Sequence, residues 1–237
     1  MCARFTLTKS PWLTARALGT KSVERALRTS YNVAPTQPIA AILNDDERRV
    51  AEVRWGLVPP HAEHPSAVKL STFNARIETI AKAPTYRDAF RARRCAIFAD
   101  GFYEWRADAD GGKTPMYIHR TDGEPFVFAG LWDVWHGADE ELTSATIVTQ
   151  PANAFMEAIH SRMPVVLDLD RARAWLAPGE RDSAELLALL EPSPPQWWAA
   201  HPVAPRVGNA RFDDAQLVAA VADTSATTPS LFDGVPS

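Results

Sequence analysis

A chain of 237 residues is long enough to bury one large core or two small ones. Its 46% hydrophobic and 23% charged residues suit a soluble globular protein. No apolar run nears the roughly 20 residues that span a bilayer, and no charged-then-apolar leader opens the chain. A formal net charge of −4 speaks against indiscriminate polyanion binding, and two cysteines far apart, Cys2 and Cys95, exclude a disulfide framework and favour a reducing, cytoplasmic compartment.

In chain order, "CARFTLT" alternates like a half-buried strand. Ser10-Pro11 reads as an N-cap followed by proline at the first helical position, which predicts a helix to about Leu27. "PIAAILN" and "RRVAEVRWGLV" predict a strand pair across the polar turn "DDE". "TYRDAFRARR" predicts a short helix, and "CAIFADGFYEW" a strand that breaks at Gly101. Strands over "MYIHR", "FVFAGLWDVW" and "LTSATIVTQ" follow, then short helices at "PANAFMEAIH", "RARAWLA" and "SAELLALL". Strands neighbouring strands, with helices at intervals, predict an α+β domain with a mainly antiparallel, barrel-like sheet over residues 2–222. Residues 223–237 are polar and proline-bearing, the composition of a disordered tail. Cys95, inside the apolar "CAIFA", reads as a buried, inert thiol.

Charge is unevenly spread. Lys69, Arg76, Lys82, Arg87, Arg91, Arg93 and Arg94 crowd one stretch against only Glu78 and Asp88. Such a stretch is either a solvated helix face or a local phosphate footprint, and charge alone does not choose. Metal chemistry lacks a signal: there is no C-x-x-C, and the six histidines show no zinc-ligand spacing, so no metal or cofactor is expected.

Cys2 is the residue with the sharpest chemistry. Removing Met1 would leave an α-amine and a thiol on adjacent carbons. An α-amine with a reference pKa of about 7.7 is roughly one-sixth unprotonated at pH 7, several hundredfold more than a lysine. It can attack an aldehyde to give a Schiff base, and the neighbouring thiol can close on the same carbon to form a five-membered thiazolidine. The substrate implied is an aldehyde. Two other readings stay open: an N-terminal-nucleophile thiol peptidase or amidohydrolase in which Cys2 attacks a carbonyl, and a non-catalytic reader of single-stranded or modified DNA.

The motifs "MCARF", "YNVAP", "WGLVP", "FNARIET", "FADGFYEW", "IVTQPAN", "IHSRMPVVL" and "HPVAPRVGN" stand in one order over residues 2 to 210. In that order and spacing the chain resembles the SRAP family, the SOS response-associated peptidase-like proteins that crosslink to abasic sites in single-stranded DNA. The resemblance implies a SRAP α+β fold, and an aldehyde supplied by the ring-opened deoxyribose of an abasic nucleotide. It further implies a lesion-shielding role in the DNA damage response, with possible lyase activity and autoproteolytic Met1 removal, by a monomer associated with the bacterial nucleoid. The family's catalytic set falls on Cys2, Asn74, Glu104 and His160.

Those types suit such work. Asn74 can orient the amine without adding charge. Glu104, beside aromatic residues, could protonate the sugar ring oxygen and then pass protons at the Schiff base, with His160 assisting. Family positions that contact DNA fall on Arg4, Pro35, Arg76, Trp105, Thr149, Ser161 and Arg162, with the arginines on phosphates and Trp105 against sugar or base. The sequence departs from the family twice. Ala3 stands where glycine is common, which would be strained if that position needed φ > 0, and "PSAVKLSTF" replaces a tryptophan wedge that some relatives carry. Finally, Thr228-Pro229-Ser230-Leu231-Phe232 resembles the end of peptides that dock on bacterial sliding clamps, though threonine stands where glutamine is usual.

Overall fold

The structure, a computed structural model, describes residues 2–20, 28–46, 48–68 and 70–223. From the start of the chain come β1 (Arg4–Leu7), α1 (Trp12–Ala17), β2 (Ser30–Val33), β3 (Pro38–Leu43), β4 (Val50–Trp55) and β5 (Asn74–Arg76). The middle holds α2 (Arg87–Ala92), β6 (Arg94–Ala99), β7 (Gly101–Ala107), β8 (Lys113–Arg120), β9 (Phe126–His136) and β10 (Glu141–Pro151). The last part adds β11 (Arg162–Pro164), β12 (Val166–Leu167), α3 (Leu169–Trp175), α4 (Ser183–Ala188) and β13 (Trp198–Pro202).

Five strands close on themselves: β4, β3, β6, β9 and β10 pair in turn, and β10 returns to β4 in parallel while every other pair in the ring is antiparallel. The short strands β5 and β11 extend this barrel along β10, and β12 extends it along β9. A second, fully antiparallel sheet runs β13-β8-β7-β1-β2. This is the α+β, barrel-like architecture that the strand pattern predicts.

The apolar run of β6 explains how the layers join. Cys95, Ile97 and Ala99 pack with Phe5, Phe102 and Trp198 of the second sheet, whereas Ala96 and Phe98 pack with Leu18, Phe90, Trp175 and Leu186 of the helices. Both faces are covered, so the strand carries no polar alternation. Cys95 is fully buried and its thiol is pushed up by desolvation, as an inert core thiol should be.

The segment read as one broken strand is two strands in different sheets, and the break falls at Asp100. Its carboxylate accepts from the Thr6 hydroxyl at 2.5 Å, from Thr8 N and Oγ1 at 2.5 and 2.7 Å, and from Lys9 N at 2.7 Å. Asp100 thus fastens the far end of β1 at the crossing. The next residue must be glycine, because a Cβ at Gly101 would lie 2.3 Å from the Tyr117 hydroxyl.

Three further expectations change. The first helix starts at Trp12 with Pro11, not Ser10, at the N-cap and no side-chain cap, and it ends at Ala17, with Gly19 at φ 81° in the left-handed turn beyond it; residues 21–27, which complete the predicted span, lie outside the described residues. "PANAFMEAIH" forms only a 3-10 turn at Met156–Ala158, with the Asn153 carboxamide oxygen accepting from Met156 N at 3.0 Å. And β2, β5, β11 and β12, two to four residues each, are too short to display a period, so the sequence pattern predicts no strand there.

The basic stretch is not one phosphate footprint. Arg94 is fully buried, and its guanidinium donates to the carbonyls of Trp175 (2.9 Å), Phe90 (3.5 Å), Arg91 (2.5 Å), Ala177 (2.6 Å) and Gly179 (3.1 Å). Burial, with the Arg181 charge second, pulls it down to about 10, so it remains charged at neutral pH. Arg93 pairs with Asp133 at 2.9 Å, Arg87 with Asp88 at 2.8 Å, and Arg91 with Glu180. Arg94→Ala should lower the unfolding free energy by about 3 kcal/mol, because it strips donors from buried carbonyls. Arg91→Ala, which breaks an exposed pair, should cost no more than about 1 kcal/mol. Urea unfolding midpoints of the two variants check this contrast.

Candidate active site

Cys2 enters the core instead of fraying. β1 is held on both sides, Phe5 facing Val33 of β2 and Phe102 of β7, and Arg4 faces Tyr103. Running back from that register brings Ala3 and Cys2 alongside Glu104 and Trp105. Cys2 is 0% exposed and packs in the cluster of Phe5, Trp55, Phe102 and Met163. Glu104 shares a strand face with Phe102 and so enters the same side, 3% exposed.

Asn74 begins β5, which lies parallel to β10 with Asn74 opposite Ile147. Its Nδ2 donates to the Cys2 carbonyl at 2.8 Å, and its Oδ1 is buried with no partner among the described residues. One amide therefore grips the backbone of residue 2 and keeps an acceptor in reserve. The Asn74 carbonyl in turn accepts from the Tyr86 hydroxyl at 3.2 Å.

Electrostatics at Cys2 are one-sided. Desolvation, then the negative charge of Glu104, push its thiol well above the ordinary range; the α-amino end of the chain and a hydrogen bond to Arg4 O at 3.8 Å pull weakly back. The thiol is held protonated near neutrality.

His160 lies just before β11, between Met156, Ile159 and Met163, which all pack into the cluster that holds Cys2. His160 Nδ1 lies 3.0 Å from Arg162 N and 3.2 Å from Arg162 O, so the backbone of β11 sets the orientation of the ring.

The structure gathers most of the remaining predicted residues in two places, with Pro35 apart from both. Arg4 Nη1 donates to Ala3 O at 2.8 Å and Nη2 to Gly208 O at 3.3 Å. Trp105, half-buried against Tyr103, Tyr117, Val203 and Val207, lies beside the same Gly208. The second place is the end of β10. Arg76, exposed on β5, stands opposite Thr149, and Arg162 Nη2 donates to Thr149 O at 2.9 Å. Ser161 is exposed in the turn before Arg162. Pro35 is half-buried in a small cleft with Arg54, Gly56 and Thr72.

Thr149 itself is fully buried; its hydroxyl donates to Ala75 O at 3.4 Å and accepts from Arg162 Nη2 at 3.4 Å. It steadies Arg162 and does not present a hydroxyl to solvent. Ala3 carries no strain either, since Thr36 and Arg48 are the non-glycine residues with positive φ among those described.

A family model described as SOS response associated peptidase (SRAP) matches residues 1–210. The chain belongs to the SRAP family. It is similar to abasic site processing protein YoqW of Bacillus subtilis (strain 168), 37% identical over 191 residues, covering 80% of this chain and 85% of that one. It is also similar to abasic site processing protein YedK of Escherichia coli (strain K12), 30% identical over 229 residues that cover 92% and 99% of the two chains. A crystal structure of a protein from Bacteroides thetaiotaomicron shares the fold at a TM-score of 0.83 with 25% identity, covering 93% of this chain and all of that one.

Two contributors to this SRAP site were not read from sequence. Asn32 of "YNVAP" donates through Nδ2 to the carbonyls of Val207 (3.2 Å), Asn209 (3.2 Å) and Phe212 (2.9 Å), pinning the loop that carries Gly208. Glu78 of "FNARIET" pairs with Arg162. Its signal was its place two residues after Arg76, which a bare charge count treats as an offset. Asp223, the first residue of the predicted tail, is held by Arg106 at 2.8 and 3.0 Å, and the rest of that tail, with its clamp-like "SLF", lies outside the described residues.

Proposed function

We propose that this SRAP protein processes abasic sites in single-stranded DNA by forming a covalent thiazolidine through Cys2 after Met1 is removed. One observation carries the reading: a cysteine at position 2 is buried at the start of a strand, its carbonyl gripped by Asn74 and its thiol under the charge of Glu104. The names of the curated relatives support the substrate.

The electrostatics favour an amine-first order. The amine lone pair attacks the aldehyde carbon of the ring-opened sugar, and the carbinolamine loses water to give the imine. The Cys2 sulfur then adds to the imine carbon and its proton passes to the nitrogen. The ring closes with net loss of one water. The thiol must give up its proton as the sulfur adds to the imine carbon, and the imine nitrogen beside that carbon is the acceptor. A thiol-first attack on an amide would need the thiolate, which burial and Glu104 both oppose. Glu104 is suited to hand protons to the sugar oxygen and the carbinolamine hydroxyl, with His160 as its partner. Arg4, Arg76 and Arg162 are suited to the phosphates that flank the lesion, Trp105 to a neighbouring sugar or base, and Pro35 and Ser161 to the edges of the groove.

The test is incubation with a single-stranded oligonucleotide bearing one abasic site, followed by denaturing electrophoresis and intact mass. The expected product migrates as protein plus oligonucleotide, with the mass of both less Met1 and one water. Only reversible binding, or turnover of an amide substrate without adduct, would overturn the reading.

A further inference from the structure

Arg162 is not waiting open for a phosphate. Its Nη1 donates to Glu78 Oε1 at 2.7 Å and its Nη2 to Glu78 Oε2 at 3.1 Å, a fork-to-fork pair with the geometry Arg also uses on phosphate. The two partners differ in freedom. The Arg162 side chain is 14% exposed and anchored from behind by Thr149 O at 2.9 Å, whereas Glu78 is 45% exposed. The guanidinium is therefore fixed and the carboxylate is the part that can swing away. Hydrogen bonding to Arg162, with the nearby Arg76 charge, holds the Glu78 carboxyl below the usual range, so it stays ionised in this seat.

From this geometry we infer that Glu78 occupies the phosphate seat of Arg162 in the DNA-free protein and sets the threshold for filling it. The inference rests on the reading of this surface as the DNA groove. A single small anion must evict a bidentate carboxylate and then sit beside it. A DNA strand meets Arg76 and Arg4 at the same time, so its other phosphates offset the eviction. Glu78 thereby favours a polyphosphate strand over free nucleotides and inorganic phosphate, and keeps Arg162 extended until the strand arrives.

The test measures binding of a short unmodified single-stranded oligonucleotide by fluorescence anisotropy at low and physiological salt. Glu78→Gln should bind about three- to tenfold tighter than the parent. The gain should vanish in Arg162→Ala/Glu78→Gln relative to Arg162→Ala alone. Asp88→Asn, which removes the same charge from an exposed pair with Arg87, should leave affinity within about twofold. Unchanged or weaker binding by Glu78→Gln, or a gain that survives without Arg162, would overturn the inference. If the parent crosslinks abasic DNA while Glu78→Gln gains nothing, the inference alone fails. If the parent neither binds nor crosslinks DNA, the DNA reading fails and this inference goes with it.

Discussion

Cys2→Ala is expected to abolish the durable adduct with abasic single-stranded DNA while leaving noncovalent affinity close to that of the parent. The variant keeps an α-amine at position 2 once Met1 is removed, and the Asn74 amide still meets the backbone carbonyl, so a transient Schiff base can form. What it lacks is the sulfur that closes the ring. Borohydride should therefore trap that imine, yet no adduct should survive denaturing electrophoresis without reductant. Cys2→Ser supplies a weaker nucleophile and should give a product that decays. The alanine substitution also removes a fully buried side chain from the cluster around Phe5 and Trp55, so the comparison needs matched unfolding midpoints. An adduct as stable as the parent's from Cys2→Ala would rule out the thiazolidine.

Glu104→Gln is expected to slow crosslinking at neutral pH by roughly a hundredfold, the size of a general acid–base contribution. Its effect on the thiol makes the test two-sided. The Glu104 charge helps hold the Cys2 thiol up, so neutralising it moves the thiol down towards the ordinary range. If thiolate supply limited the reaction, Glu104→Gln would react faster, most visibly above neutral pH. If proton transfer to the sugar and the carbinolamine limits it, the variant reacts more slowly across the whole range. Single-turnover rates against pH, with anisotropy to show that DNA affinity is retained, separate the two.

How far these conclusions were legible in sequence depended on how local each signal was. β8, β9 and β10 are long runs of strand-forming residues bounded by turns, and "CAIFA" announced its two covered faces by having no alternation. The pairing of β1 with β7 was invisible, since Arg4 meets Tyr103 through the register of distant strands. The chemistry of Cys2 followed from its position alone, but its burial and the grip of Asn74 did not. Basic residues misled most. Arg94 and Arg76 look alike in sequence, yet one is buried on carbonyls from α2 and the segment after α3, and the other is exposed beside a carboxylate. The Arg94 partners that tell them apart, the carbonyls of Trp175, Ala177 and Gly179, lie 81 to 85 residues away in the chain.

The pairing of β1 has a consequence for how the protein is made. The strand that carries Cys2 has nothing to lie against on its β7 side until Phe102 and Tyr103 have been synthesised. At about 5–20 residues per second, that leaves an interval of roughly 5–20 s during which the first residues cannot be drawn into the finished core. An aminopeptidase acting on nascent chains would meet the first residues before β1 is paired, and later would meet a chain whose Cys2 is fully buried. Ribosomal pausing before residue 100 should therefore raise the fraction of chains that mature with a free Cys2, and rapid refolding of full-length, unprocessed chain should lower it.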